Sequence, residues 1–230
     1  MGDKLWERIA ALGGIAFVVL NIVATAIQGE PPTPDDSATK VAEWFADNDT
    51  GIQVAAFLGG LSLIALVWWF GSLWRRMARA ENGNHRLSIV ALASLSGAGA
   101  LFAMSLAVNS AVAMRIEEAG PDGARLFYLL STVLLSLSGF FIVAHLAAVN
   151  ALSLRTGFLP RWITWVGILA SALFLASTIG SATDAEAVLF FGFAGFIAWS
   201  VWLIAVSVYM WRTADGPTIE VVEIVEVTMS

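Results

Sequence analysis

The chain has 230 residues, 58% of them hydrophobic and only 13% charged, with a mean hydropathy of +0.79; soluble domains carry about 25% charged residues, so water is not its main solvent. It contains no cysteine, which excludes disulfides, thiolate metal sites and cysteine nucleophiles. The formal net charge is −6, and without a basic domain nucleic acid is excluded as a partner.

Crossing ~30 Å of hydrocarbon takes ~20 apolar residues in a helix. Backbone groups in lipid must pair within their own segment, so each such run is expected to be helical. Six runs free of Asp, Glu, Lys and Arg meet the length: Ile9–Gly29, Thr50–Trp74, Leu87–Met114, Leu126–Leu154, Trp162–Thr183 and Ala187–Trp211. The alternation of a β-barrel is absent. The expected fold is all-α: a polytopic bundle of six transmembrane helices occupying residues 1–212, followed by a tail at 213–230.

The first run has features of a secretory leader. Lys4 and Arg8 resemble a basic n-region and Ala24-Thr25-Ala26 a cleavage site; the run is expected to remain as a span.

The next connection carries Thr33-Pro34-Asp35-Asp36, which reads as a helix start with Thr33 as cap, Pro34 in the first turn and acids against the helix dipole. Ala38, Val41, Ala42 and Phe45 recur at helical spacing. A short amphipathic helix over 34–47 is expected, either as a lid on the span ends or as a docking surface. Asp47-Asn48-Asp49-Thr50-Gly51 has a superficial likeness to a calcium loop, but its glycine is one place early and the twelfth position is Leu58, without a bidentate acid.

Charge alternates along the connections. Lys4 and Arg8 precede the first span; Arg75, Arg76, Arg79 and Arg86 lie in the second connection, Arg155 and Arg161 in the fourth, and Arg212 after the last span. The intervening connections hold Glu30, Asp35, Asp36, Glu43, Asp47 and Asp49, then Glu117, Glu118 and Asp122, then Asp184 and Glu186. By the positive-inside rule both termini are cytoplasmic. Trp6, Trp69, Trp74, Trp162 and Trp211 would then lie near the cytoplasmic interface. The fourth connection reads as a tight hairpin, with Gly157 closing one helix in the left-handed conformation and Pro160 opening the next. The tail Thr218–Ser230, TIEVVEIVEVTMS, is dense in β-branched residues; it is expected to be disordered or to add as a strand to a partner's sheet.

Polar side chains inside a bilayer are costly and face the bundle interior. The candidates are Asn21, Asn109, Ser131, Ser138, His145 and Asn150. Ser131, Ser138 and His145 are spaced by seven and share one face of the fourth span. Tyrosines apart, His145 is the only ionisable group in any run. Near the bilayer centre and without an acid in any span, it is expected to be neutral and to hydrogen-bond a neighbouring helix. Proton relay is the alternative role. The third span is rich in small residues from Ala91 to Ala100, including Gly97 and Gly99, and is expected to be central in the bundle. The aromatics Phe190, Phe191, Phe193, Phe196, Trp199 and Trp202 drift around one side of the last span, as lipid-facing or packing groups.

No span has an Asp or Glu for ion coupling, a Lys for a Schiff base or an arginine ladder for voltage sensing. The phosphate loop, HExxH and GxSxG are missing. No catalytic residue, metal or cofactor is expected. The preferred reading is a non-enzymatic accessory or scaffold subunit of a membrane complex. The alternative is a transporter or binding protein for a small or lipidic molecule. Besides the lipid bilayer, the expected partners are a second copy or another membrane protein.

The hairpin LRTGFLPRWITWVG, the acidic segment DDSATKVAEWFADN and the six-span layout with an Arg-rich second turn resemble a group of uncharacterised actinobacterial multi-pass membrane proteins classed as a domain of unknown function. The resemblance spans roughly residues 9–212. It implies a compact six-helix bundle and supplies no activity, substrate or catalytic residue; the expected location is a bacterial inner membrane.

Overall fold

A computed structural model describes residues 3–33, 35–181 and 186–214. The expectations for Pro34, Asp184 and the strand-forming part of the tail, 218–230, lie outside the described residues. Among the described residues the secondary structure is helical throughout: α1 (Asp3–Ala11), α2 (Gly13–Ile27), α3 (Ala38–Asp47), α4 (Asp49–Ala80), α5 (Arg86–Met114), α6 (Ile116–Thr156), α7 (Arg161–Ser177) with a 3-10 turn at Thr178–Ser181, and α8 (Glu186–Arg212).

Among the described residues five helical stretches are long and apolar enough to cross a membrane: Leu5–Ile27, which joins α1 to α2, then α4, α5, α6, and Phe190–Arg212 within α8. The shorter apolar helix α7 has 17 residues, or about 26 Å. The protein is a polytopic helical membrane protein. Its exposed large side chains suit a lipid solvent: Val67, Phe57 and Ile64 of α4 are 71%, 66% and 59% exposed.

The packing follows the chain. α2 packs on α4, α4 on α5, α5 on α6, α6 on α7, α7 on α8, and α8 returns to α2. Short connections make sequence neighbours spatial neighbours, and the last contact closes the ring. The expectation of a central third span is therefore corrected. Among the described residues the main neighbours of α5 are α4, α6 and, weakly, α3; of its two glycines, Gly97 faces α6 and Gly99 faces Leu63 of α4. A Cβ added at Gly97 would sit 2.6 Å from Phe141 Cδ1.

The tightest seam is elsewhere. Where α2 crosses α4, Gly13 lies against the Ala65 carbonyl and Gly14 against Trp69, while at the other end a Cβ on Gly51 would sit 2.7 Å from the Ile27 carbonyl. Between these ends Asn21 Nδ2 donates to Ser62 Oγ at 2.9 Å and to the Phe17 carbonyl at 2.8 Å. Close backbones joined by a polar pair are how helices associate where lipid offers no hydrophobic drive.

The amphipathic segment forms a lid, four residues shorter at its start than expected. Ser37, not Thr33, is the cap, its hydroxyl accepting from Lys40 N at 3.2 Å. Thr33 N instead donates to Asp36 Oδ2 at 2.7 Å, in a turn before the helix. The carboxyl of Asp36 is held below its ordinary range, chiefly by the Lys40 ammonium at 2.7 Å. Val41 and Phe45 are buried with Ile52, Val112, Ala113 and Ala124. Trp44 and Phe45 meet Tyr128 edge-on, and the Tyr128 hydroxyl donates to the Pro32 carbonyl at 2.5 Å.

At the opposite end the hairpin forms as its residues dictate. Gly157 takes φ 69° and its N–H donates to the Ser153 carbonyl at 2.8 Å. Pro160 caps α7 just before its first turn, its carbonyl accepting from Ile163 N at 3.0 Å. The second connection has a built cap that the charge pattern did not reveal. Glu81 accepts from Leu87 N at 2.7 Å and Ser88 N at 2.9 Å, and also from the Ser88 hydroxyl. Burial pushes its carboxyl up, but the Ser88 and Leu87 hydrogen bonds together outweigh this and hold it below the usual range. A depressed carboxyl contributes stability above its unfolded-state value, and this is lost as pH falls through the folded-state value. Glu81→Ala is expected to cost about 1 kcal/mol at pH 7. Its melting temperature should converge with that of the unmodified protein below pH ~4. A gap independent of pH would show that the carboxylate is not the cap.

Candidate functional site

The six sequence-derived polar residues do not converge on one site. Asn21 belongs to the α2–α4 seam through Ser62. Ser131 and Ser138 share the inner face of α6 with His145, all three buried, but each serine bonds back to its own helix, to the Tyr128 and Leu135 carbonyls at 2.8 and 2.6 Å. The link across to α5 runs the other way, from Ser105 Oγ to the Ser131 carbonyl at 3.0 Å. The Oδ1 of Asn109, near the lid end of α5, has no hydrogen-bond partner among the described residues.

His145 and Asn150 lie in the middle of the ring. His145 is fully buried, and its Nδ1–H donates to the Ala91 carbonyl on α5 at 3.0 Å. A carbonyl can only accept, so Nδ1 carries the proton, and in the neutral ring Nε2 is a bare acceptor. Nε2 has no partner among the described residues. Its ring instead meets Phe70 edge-on at 5.4 Å and Trp202 at 6.0 Å, with an interplanar angle of 87° for the latter. Trp202 in turn packs against Trp69 at 5.9 Å.

Two glycines let polar atoms into this core. A Cβ on Gly167 of α7 would sit 2.5 Å from Asn150 Oδ1 and 2.8 Å from Trp202 Nε1. One on Gly14 of α2 would sit 2.5 Å from Ser207 Oγ and 2.7 Å from Trp69 Nε1. The four polar atoms Asn150 Oδ1, Trp202 Nε1, Ser207 Oγ and Trp69 Nε1 are all buried without hydrogen-bond partners. Glycine Cα–H groups can offer only weak contacts, and only to oxygens. The two indole N–H groups gain nothing comparable. The centre of the ring thus holds two unpaired donors, two acceptors and one hydroxyl around an edge-to-face cluster of Trp69, Trp202 and His145.

Sequence reasoning missed Trp69, Trp202, Ser207, Gly14 and Gly167 as parts of this centre. Trp69 was expected at the membrane interface, but it is fully buried while its neighbour Trp68 is 60% exposed. The last-span aromatics divide: Phe190 and Phe193 are each 66% exposed, while Trp199 and Trp202 are buried. The spacing of seven between Ser200 and Ser207, both buried, was the available sign of an inward face.

At the hairpin end, the charges are partly spent on the fold. Glu7 pairs with Arg75 at 3.2 Å and Arg79 at 3.6 Å. Arg76 donates to Thr213 Oγ1 at 2.6 Å and the Met210 carbonyl at 2.9 Å, tying α4 to the end of α8. Arg8 lies over the Trp211 ring at 5.7 Å.

A pair of substitutions separates structure from proton transfer at His145. His145→Gln keeps a donor for the Ala91 carbonyl, whereas His145→Leu removes it at a cost of about 1 kcal/mol. Melting in mild detergent is expected to show the Leu variant destabilised and the Gln variant near the unmodified protein. A folded Gln variant that had lost a pH-driven flux in proteoliposomes would make the imidazole a relay instead.

No curated protein and no solved structure matches the chain. The model of one family, a domain of unknown function (DUF4386), matches residues 9–207, taking in most of the ring, from within the first span to Ser207 of α8. The closed helical ring described above is accordingly that domain as this sequence builds it, and the chain belongs to the DUF4386 family.

Proposed function

We propose that this chain is a non-enzymatic accessory or scaffold subunit of a membrane complex in a bacterial inner membrane, threaded six times with both termini cytoplasmic. The observation that supports this reading best is the filling of the ring. Trp69, Trp202, Leu146, Ile163, Leu203 and Val206 are all fully buried where a translocation route would run. A sixth crossing is supported by α7 together with its 3-10 turn, about 33 Å in all. The orientation rests on the arginines gathered at the hairpin end. Arg115 and Arg125 at the lid end weaken that contrast, and Arg115 is offset by Glu118 at 3.2 Å.

Purification in mild detergent from the native bacterium tests the role. The expected result is a fixed stoichiometry with another membrane protein, measured by native mass spectrometry. Recovery of the chain alone, with a retained small molecule, would favour the second reading, a transporter or binder. That reading is supported by the unpaired core atoms of His145, Asn150, Trp69 and Trp202, which would serve a small polar ligand if the ring opened. Threading is tested with single cysteines. In intact cells, Lys40→Cys is expected to react with an impermeant thiol reagent and Arg79→Cys to be shielded. The opposite pattern inverts the topology.

A further inference from the structure

We propose that the groove between the start of α7 and the end of α8 binds one anionic phospholipid, with an acyl chain along its apolar floor and the phosphate at Arg212. The groove has a volume of about 480 Å³, within the range of small-molecule sites. Val201, Ile204, Ala205 and Val208 line it on α8, and Trp162 and Ile163 on α7. The α8 positions follow helical spacing, so they form one stripe.

Polarity along the groove has the order of a lipid molecule. Val201 and Arg212 are eleven residues apart on one helix, or about 16 Å. That is close to half of a ~30 Å hydrocarbon core, the depth of one leaflet. The deep end is wholly aliphatic. Tyr209 and Trp162 come next, amphipathic rings suited to the headgroup boundary, and Arg212 closes the outer end. Arg161 adjoins Pro160, which lines the same end.

Charge complementarity selects the headgroup. Arg75 and Arg79 share Glu7 and Arg76 is held by Thr213 and Met210. Arg161 and Arg212 are both exposed, and neither has an ion-pair partner among the described residues. Guanidinium groups are suited to phosphate oxygens through paired N–H donors. A zwitterionic lipid would meet the same two arginines with a compensating cation of its own, so the preference should follow net charge. The site lies on the outside of the ring and does not depend on which protein partner the chain has.

The test uses the full-length protein, delipidated in mild detergent and titrated with phosphatidylglycerol or phosphatidylcholine under native mass spectrometry. One phosphatidylglycerol per chain is expected to be retained in preference to phosphatidylcholine. Arg212→Gln should reduce that preference about fivefold, and Arg161→Gln should act in the same direction. Ala205→Leu, which fills the floor, should weaken retention of both lipids. If the Leu variant fails to fold, the arginine variants decide. Equal retention of the two lipids, or an undiminished preference in Arg212→Gln, would overturn the proposal. So would a mass of two chains without lipid, which would assign the face to a second copy.

Discussion

Trp202→Ala is expected to lower the stability of the folded bundle by about 3–5 kcal/mol. Trp202 is fully buried, and its ring stands edge-on to Trp69 at 5.9 Å and to His145 at 6.0 Å. It therefore joins α4, α6 and α8 at one point, with Gly167 bringing α7 onto its Nε1. Lipid tails are as apolar as this core, so the loss is not one of transfer from water. It is the loss of packed contacts around a cavity the ring is too short-connected to close. Trp202→Phe should cost much less, about 1–2 kcal/mol, because most of the packing survives and the indole N–H has no hydrogen bond to lose. Unfolding in mixed micelles of sodium dodecyl sulfate and mild detergent measures both. An Ala variant as stable as the unmodified protein would mean the ring is not closed through this residue.

Gly14→Leu is the second large effect, expected at about 1–3 kcal/mol and acting through overpacking rather than a cavity. The first added carbon would already sit 2.5 Å from Ser207 Oγ and 2.7 Å from Trp69 Nε1. Neither atom can retreat easily, since Trp69 and Ser207 are both fully buried. Gly97 is a useful contrast: its obstacle is the edge of Phe141, which is 42% exposed and can swing toward lipid. Gly97→Leu should therefore be the milder of the two. Gly60 has nothing within 4 Å of an added Cβ, and Gly60→Ala should stabilise its helix by about 0.5–1 kcal/mol. A ranking with Gly60 or Gly97 as the most sensitive glycine would contradict the described α2–α4 crossing.

Much of this architecture was legible in the sequence by itself. Length and apolarity of a run dictate a membrane helix because unpaired backbone cannot lie in lipid. That argument located α2, α4, α5, α6 and α8. The hairpin at Gly157 was legible for the same kind of local reason: a left-handed residue after a helix favours glycine. So was the lid's inner face, since Val41 and Phe45 repeat at helical spacing.

What only the tertiary structure decided is which face of each helix turns inward. Lipid and protein interior are both apolar, so hydrophobicity cannot distinguish Trp68, exposed, from Trp69, buried. In water the same pair would be sorted by polarity; here the sorting is by packing alone. The sequence likewise marked α5 as central by its small residues, whereas the close backbone approaches fall between α2 and α4, where Gly13 meets the Ala65 carbonyl and Gly51 the Ile27 carbonyl. The polar candidates scatter for the same reason. A serine can satisfy itself on its own helix, as Ser131 and Ser138 do, so a shared face does not imply a shared site. His145 cannot bond back in that way, and it alone among that stripe reaches a neighbouring helix through its side chain, at the Ala91 carbonyl.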